Sequence, residues 1–319
     1  MTQMLRKFSV GVALIAFMGQ AHAQAPRVET PPPPDPSTLD EAAPPGANYD
    51  KAEFRFWAPA SLSKLDGVLV LNPGSNGDGR GQASDPVWRQ WAANHKLAIV
   101  ATRFTDKQPS IVEDYADVSK GSGQALLNAI NSFAARSHHP ELATAPLVLW
   151  GMSAGGEVNY ELAAWKPERV AAFVVNKGNF YYTGIASKAA RNVPALLFVG
   201  TADLAYRVNA VTGIFAMNRR PGALWALVQE PGVPHAVGRS DELSRIFFDD
   251  VLPMRIGAMS GGTLGALDPG KGWQGDLDKK TVAPVTGGAK LPDMPTVWLP
   301  AERTAQAWVA VENGTPFPQ

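Results

Sequence analysis

The stretch Pro146-Leu147-Val148-Leu149-Trp150-Gly151-Met152-Ser153-Ala154-Gly155-Gly156 decides the fold. Its first five residues are an unbroken apolar run, as expected of a strand buried on both sides. Residues Ala154–Trp165 then take a helical pattern. Between them, Gly151, Ser153 and Gly155 match G-x-S-x-G, a sharp strand-to-helix turn that exposes a serine hydroxyl. Glycines two residues either side of the serine let neighbouring backbone pass close by. The helix that follows directs the positive end of its dipole at negative charge developing near the serine.

The same alternation extends in both directions. Upstream, Phe54–Trp57 reads as an antiparallel edge strand and Val68–Leu71 as a buried strand ending in the Gly-rich turn Asn72–Gly77. Asp85-Pro86 reads as an N-cap followed by proline at the first helical position, with Val87, Trp88, Trp91 and Ala92 at helical spacing. Leu97–Thr102 is the next strand, and Leu126, Leu127, Ile130, Phe133 and Ala134 mark a second helix. Downstream, strands at Ala171–Val175, Pro194–Gly200 and Ala223–Gln229 alternate with helices at Tyr206–Met217 and Asp241–Val251. Repeated strand–helix–strand units predict an α/β fold: a mostly parallel central sheet flanked by helices on both faces. Only Lys177–Val193 separates two of the strands, so a small or absent cap and an open cleft are expected.

A serine nucleophile needs a base, and there are five histidines: His22, His95, His138, His139 and His235. Only His235 lies downstream of Ser153, in a loop after a strand. The adjacent His138 and His139 precede Pro140 in a loop and are read as solvated rather than as metal ligands. Asp203 is the only aspartate between Ser153 and His235, and it follows the strand ending near Gly200. Glu157 and Glu161 belong to the helix after the serine and are expected to point elsewhere. The order is Ser153, Asp203, His235, with steps of 50 and 32 residues. For an oxyanion hole the candidates are the backbone N–H groups of Ala154 and of Ser75, with Asn76 in reserve. Asn76, Phe180 and Tyr181 are candidate substrate contacts.

These residues resemble the α/β-hydrolase superfamily over about residues 50–255. The resemblance rests on Gly151–Gly156, Asp203, His235 and the Asn72–Gly77 loop. Among its branches the chain looks like the exported esterase and polyester-depolymerase-like proteins, which include feruloyl and acetylxylan esterases. Pro73 stands where many relatives have histidine. The resemblance implies an α/β-hydrolase fold, a Ser153–His235–Asp203 acyl-enzyme mechanism on a small-molecule or polymer-borne ester, and no metal or organic cofactor. Relatives that open carbon–halogen bonds or epoxides place aspartate where Ser153 stands, so those chemistries are disfavoured.

Composition narrows the alternatives. Lys+Arg and Asp+Glu are 29 each, so the formal net charge is zero. Residues 1–23 hold Arg6 and Lys7 and no acid, and removing them leaves 27 bases against 29 acids. That is no nucleic-acid-binding footprint. The absence of cysteine excludes disulfides, thiolate metal sites and a thiol nucleophile.

Residues 1–23 read as a signal peptide: a basic start, the apolar run Phe8–Met18, and Ala21-His22-Ala23 as a cleavage site. The product is expected to be periplasmic or secreted, with no stable membrane insertion after cleavage. Residues 24–48, with Pro31–Pro34, Pro36 and Pro44-Pro45, read as a disordered proline-rich lead. Residues 49–257 form the expected catalytic domain. Residues 258–319, rich in Gly and Pro but carrying Trp273, Trp298 and Trp308, are expected to pack on it as an irregular extension.

Two other functions remain open to the same residues: a serine peptidase or amidase, and a non-catalytic binding protein on a hydrolase scaffold. The sequence carries no signal of oligomeric state.

Overall fold

The structure is a computed structural model that describes residues 32–33, 35–286 and 296–318. The expected signal peptide and the start of the proline-rich lead lie outside the described residues.

Eight strands form one sheet: β1 (Thr38–Ala43), β2 (Lys51–Trp57), β3 (Gly67–Asn72), β4 (Leu97–Thr105), β5 (Leu147–Gly151), β6 (Val170–Asn176), β7 (Ala195–Gly200) and β8 (Trp225–Glu230). Their spatial order is β1-β2-β4-β3-β5-β6-β7-β8. β1 and β2 run antiparallel to their neighbours, and β4 through β8 are parallel. Strands β3, β5, β6 and β7 are buried at every residue, which is why they read as continuous apolar runs.

The helices are α1 (Pro86–Asn94), α2 (Ser122–Arg136), α3 (Ala154–Trp165), the four-residue α4 (Lys188–Arg191), α5 (Ala205–Arg219) and α6 (Ser240–Arg255). Right-handed crossovers put the helix between β3 and β4 on one face and those between β4, β5, β6, β7 and β8 on the other. The contacts agree. Trp91 of α1 packs on Phe248 of α6 and donates to Asp249 at 2.7 Å. On the opposite face Gly123 of α2 abuts Trp165 of α3, and Asn218 of α5 reaches the Tyr160 hydroxyl of α3. Asp85 caps α1 by accepting from the N–H groups of Val87 and Trp88, with Pro86 at the first helical position. Between β6 and β7 the only helix is α4. No helix among the described residues is long and apolar enough to cross a membrane.

Two segments differ from the sequence-based expectation. Part of the lead, expected to be disordered, is strand β1, paired with β2 from Thr38↔Trp57 to Ala43↔Ala52. Arg55 fixes it by a two-pronged ion pair to Asp40, and Asp35 takes hydrogen bonds from Ser84 and Arg89. The strand Phe54–Trp57, expected at the edge, is therefore interior. An edge strand is half solvated, so the polar sequence TLDEAA carries no buried alternation for a reader to find.

The tail is likewise not irregular. It forms a three-stranded antiparallel sheet from β9 (Trp273–Asp276), β10 (Thr281–Pro284) and β11 (Thr296–Leu299), followed by helix α7 (Glu302–Glu312). These strands are four residues each, too short to show a period. The tail closes the outer edge of β8. Trp308, fully buried, donates its indole N–H to Leu227 O at 2.8 Å, and the Glu312 carboxylate accepts from Gln229 N–H at 2.6 Å. Side chains thus occupy backbone groups that would otherwise form an open edge.

Burial pushes the Glu312 carboxyl up to about 7, against the lowering pull of the Gln229 N–H and Lys280. A raised acid is more protonated in the folded state than in the unfolded one, so its contribution to stability declines as pH rises from about 4.5 toward about 7. The urea midpoint is expected to fall between pH 5 and pH 8, with Glu312 contributing on the order of 2 kcal/mol. Glu312→Gln should flatten that slope. A slope of opposite sign would contradict the burial argument.

Candidate active site

β5 ends at Gly151, and the chain reverses sharply into α3 through Met152 and Ser153. Ser153 holds φ 54° and ψ −123°, a conformation that costs a non-glycine residue on the order of 1–3 kcal/mol. Packing enforces it. A Cβ on Gly155 would lie 2.3 Å from Asn72 O, and one on Gly151 would lie 2.3 Å from Gly155 O, so only glycine fits at either position. The Ser153 N–H donates to Asn176 O at 2.7 Å, which ties the turn to the end of β6.

The loops after β7 and β8 bring the other two residues to this turn. His235 Nε2 lies 3.0 Å from Ser153 Oγ, and His235 Nδ1 lies 2.7 Å from Asp203 Oδ2. The second Asp203 oxygen accepts from Leu204 N–H at 2.7 Å and from Arg207 at 3.3 Å. Burial works against the Asp203 charge, but the bonds from His235, Leu204 and Arg207 hold its carboxyl below the usual carboxylate range. The Asp203 side chain is 2% exposed and that of His235 26%, so the carboxylate is shielded while the imidazole faces solvent. The two loops are cross-tied by Ala202 N–H to Val233 O and by Gly232 N–H to the Thr201 hydroxyl.

Ala154 opens α3, and its N–H donates to no protein group among the described residues. The same holds for Ser75 N–H in the loop after β3. The neighbouring Gly74 lies against Ser153, where a Cβ would meet the serine Cβ at 3.7 Å. The reserve donor Asn76 does not fit that role, because its N–H donates to the Tyr115 hydroxyl at 3.0 Å. Its side chain is engaged within the protein. It donates to Asp106 Oδ2 and accepts from Asp106 N–H, clamping two loops together at φ 54°.

Of the aromatic candidates, Tyr181 packs edge-on against Tyr160 at 5.0 Å and its hydroxyl is buried, so it is a packing residue rather than a cleft contact. Phe180 is half-buried, and its N–H approaches the Glu157 carboxylate.

Several residues near the turn carried only a weak sequence signal. Glu157 and Glu161 are buried in α3 and pin the loop after β6: Glu157 accepts from Asn179 N–H, and Glu161 from Tyr182 and Thr183. Burial, together with the charge of Glu113, pushes Glu157 up to about 8. Two glutamates four apart in the largely apolar run AGGEVNYELAAW were the available clue. His139 is not simply solvated, since it pairs with Glu141 at 3.0 Å. No cluster of three or more metal-ligating side chains occurs among the described residues. Two cavities, of about 600 and 520 Å³, open at the opposite ends of the strands, lined among others by His95, Glu141, Arg169 and Arg255, and neither is lined by Ser153, Asp203 or His235.

A hydroxyl, an imidazole and a shielded carboxylate in hydrogen-bonded series can activate the hydroxyl as a nucleophile. No family model matches the chain, and no curated protein matches it. Among solved structures it is similar to poly(aspartic acid) hydrolase-1 from Sphingomonas sp. KT-1. Identity is 14% and the TM-score 0.47, over 66% of this chain and 98% of that one.

Proposed function

We propose that the protein is a serine hydrolase of the α/β-hydrolase type that cleaves a carboxylic ester through an acyl-enzyme. One observation carries the reading: the His235 imidazole spans Ser153 Oγ and the Asp203 carboxylate at 3.0 and 2.7 Å. In the first step His235 Nε2 accepts the Ser153 proton while Oγ adds to the ester carbonyl. The N–H groups of Ala154 and Ser75 stabilise the resulting oxyanion. Collapse of the tetrahedral adduct breaks the bond to the alcohol oxygen, which takes the proton from His235. In the second step water gives a proton to His235 and adds to the acyl carbon, and Ser153 leaves with that proton. Asp203 fixes the imidazole tautomer and stabilises its charged form. No cofactor enters the sequence of steps. The absence of any helix but α4 between β6 and β7 fits a substrate that is small or carried on a larger molecule. The export reading of residues 1–23 belongs to the same proposal.

The test is a fluorophosphonate probe on the purified mature protein, read by intact mass beside Ser153→Ala. One adduct, absent in the variant, is expected. Folded protein that takes no adduct would favour the binding-protein alternative. Matched ester and amide substrates then separate esterase from amidase.

A further inference from the structure

Beneath the His235 loop lies an ion pair with almost no solvent contact. The Lys177 and Glu230 side chains are 1% and 2% exposed, and Lys177 Nζ meets Glu230 Oε2 directly. Lys177 follows β6 with φ 56°, and Glu230 is the last residue of β8. Burying such a pair is seldom a source of net stability, so its geometry is the informative part. Glu230 Oε1 accepts from Arg239 N–H at 2.6 Å, so the carboxylate closes the loop 231–238 on itself. Lys177 Nζ also donates to Asn176 Oδ1 at 2.9 Å. Asn176 reaches both sides of the site. Its O accepts from Ser153 N–H, and its side-chain N–H approaches Met152 Sδ at 3.2 Å and Val237 O at 3.3 Å. The lysine stem passes under Gly200, where a Cβ would lie 2.9 Å from Lys177 Cε and 2.2 Å from Val233 O. One connected network therefore joins both ends of the histidine loop to the serine turn.

We infer that Lys177, Glu230 and Asn176 are positioning residues that hold the His235 loop against the Ser153 turn. The inference rests on the serine-hydrolase reading above. A base displaced by about 1 Å loses on the order of 100-fold in rate, so this network acts on chemistry and not only on folding.

The experiment compares three variants by melting temperature, by the rate of fluorophosphonate capture per folded molecule, and by kcat and KM on an ester. Glu230→Gln strands the lysine charge and should lower both Tm and capture. Lys177→Met with Glu230→Gln removes both charges and should recover Tm, yet capture should stay about tenfold or more slow, with kcat reduced and KM unchanged. Gly238→Ala leaves the buried pair chemically intact, but its Cβ would lie 2.3 Å from Glu230 Oε1. Position 238 also holds φ 60°, so the alanine should slow capture per folded molecule and lower Tm as well. Trp308→Ala, which removes a buried side chain of the tail, controls for destabilisation. Capture at the unaltered rate in either the double variant or Gly238→Ala overturns the inference. So does a loss of rate that Trp308→Ala reproduces at equal Tm. Failure of the unaltered protein to be captured at all is a separate outcome, which overturns the hydrolase reading itself.

Discussion

His235→Ala is expected to lower kcat on a simple ester by on the order of 10⁴- to 10⁶-fold while leaving the fold in place. Among the described residues the imidazole is the only group hydrogen-bonded to Ser153 Oγ, at 3.0 Å, and its other nitrogen is held by Asp203 at 2.7 Å. Without it the serine is an ordinary alcohol. Because the side chain is 26% exposed, its loss leaves no sealed cavity, and the melting temperature should move little. Activity is measured with a chromogenic ester beside Ser153→Ala. If the two reacting residues act as one unit, the double variant should be no slower than either single one. A His235→Ala protein retaining more than about a tenth of the activity would remove His235 from the mechanism.

Trp308→Ala is expected to cost about 3–5 kcal/mol of stability, a drop in Tm of roughly 10 °C. The indole is fully buried, lies against Gly275, where a Cβ would meet its ring at 3.0 Å, and donates to Leu227 O. Truncation opens a cavity and leaves a carbonyl of the edge strand unpaired. Thermal and urea unfolding measure the loss, and fluorophosphonate capture by the remaining folded protein should be unchanged. A loss below about 1 kcal/mol would mean that α7 is not integral to the folded body.

What the sequence made legible follows from what kind of signal each part emits. The parallel strands are buried on both faces, so β3, β5, β6 and β7 stood out as apolar runs. Ser153, Asp203 and His235 were findable because each follows a recognisable strand, and parallel strands deliver their carboxyl ends to one side of the sheet. β1 was missed because a polar edge strand emits no period, and β9–β11 because four residues are too few for one. The Asn76 clamp was not legible because its partner, Asp106, stands 30 residues away, and nothing local announces that pairing. The Lys177–Glu230 pair, 53 residues apart, was invisible for the same reason.

The closure of the β8 edge by Trp308 and Glu312 bears on how the protein is made. Every strand of the large sheet, and the loops carrying Asp203 and His235, have been synthesised by residue 239, yet the groups that occupy the outer backbone of β8 come only at 308 and 312. At about 5–20 residues per second, a nascent chain therefore spends several seconds with its chemistry encoded and its last strand still open to pairing with another chain. Synthesis of residues 308–312, rather than collapse of the core, sets the moment at which the β8 edge is covered.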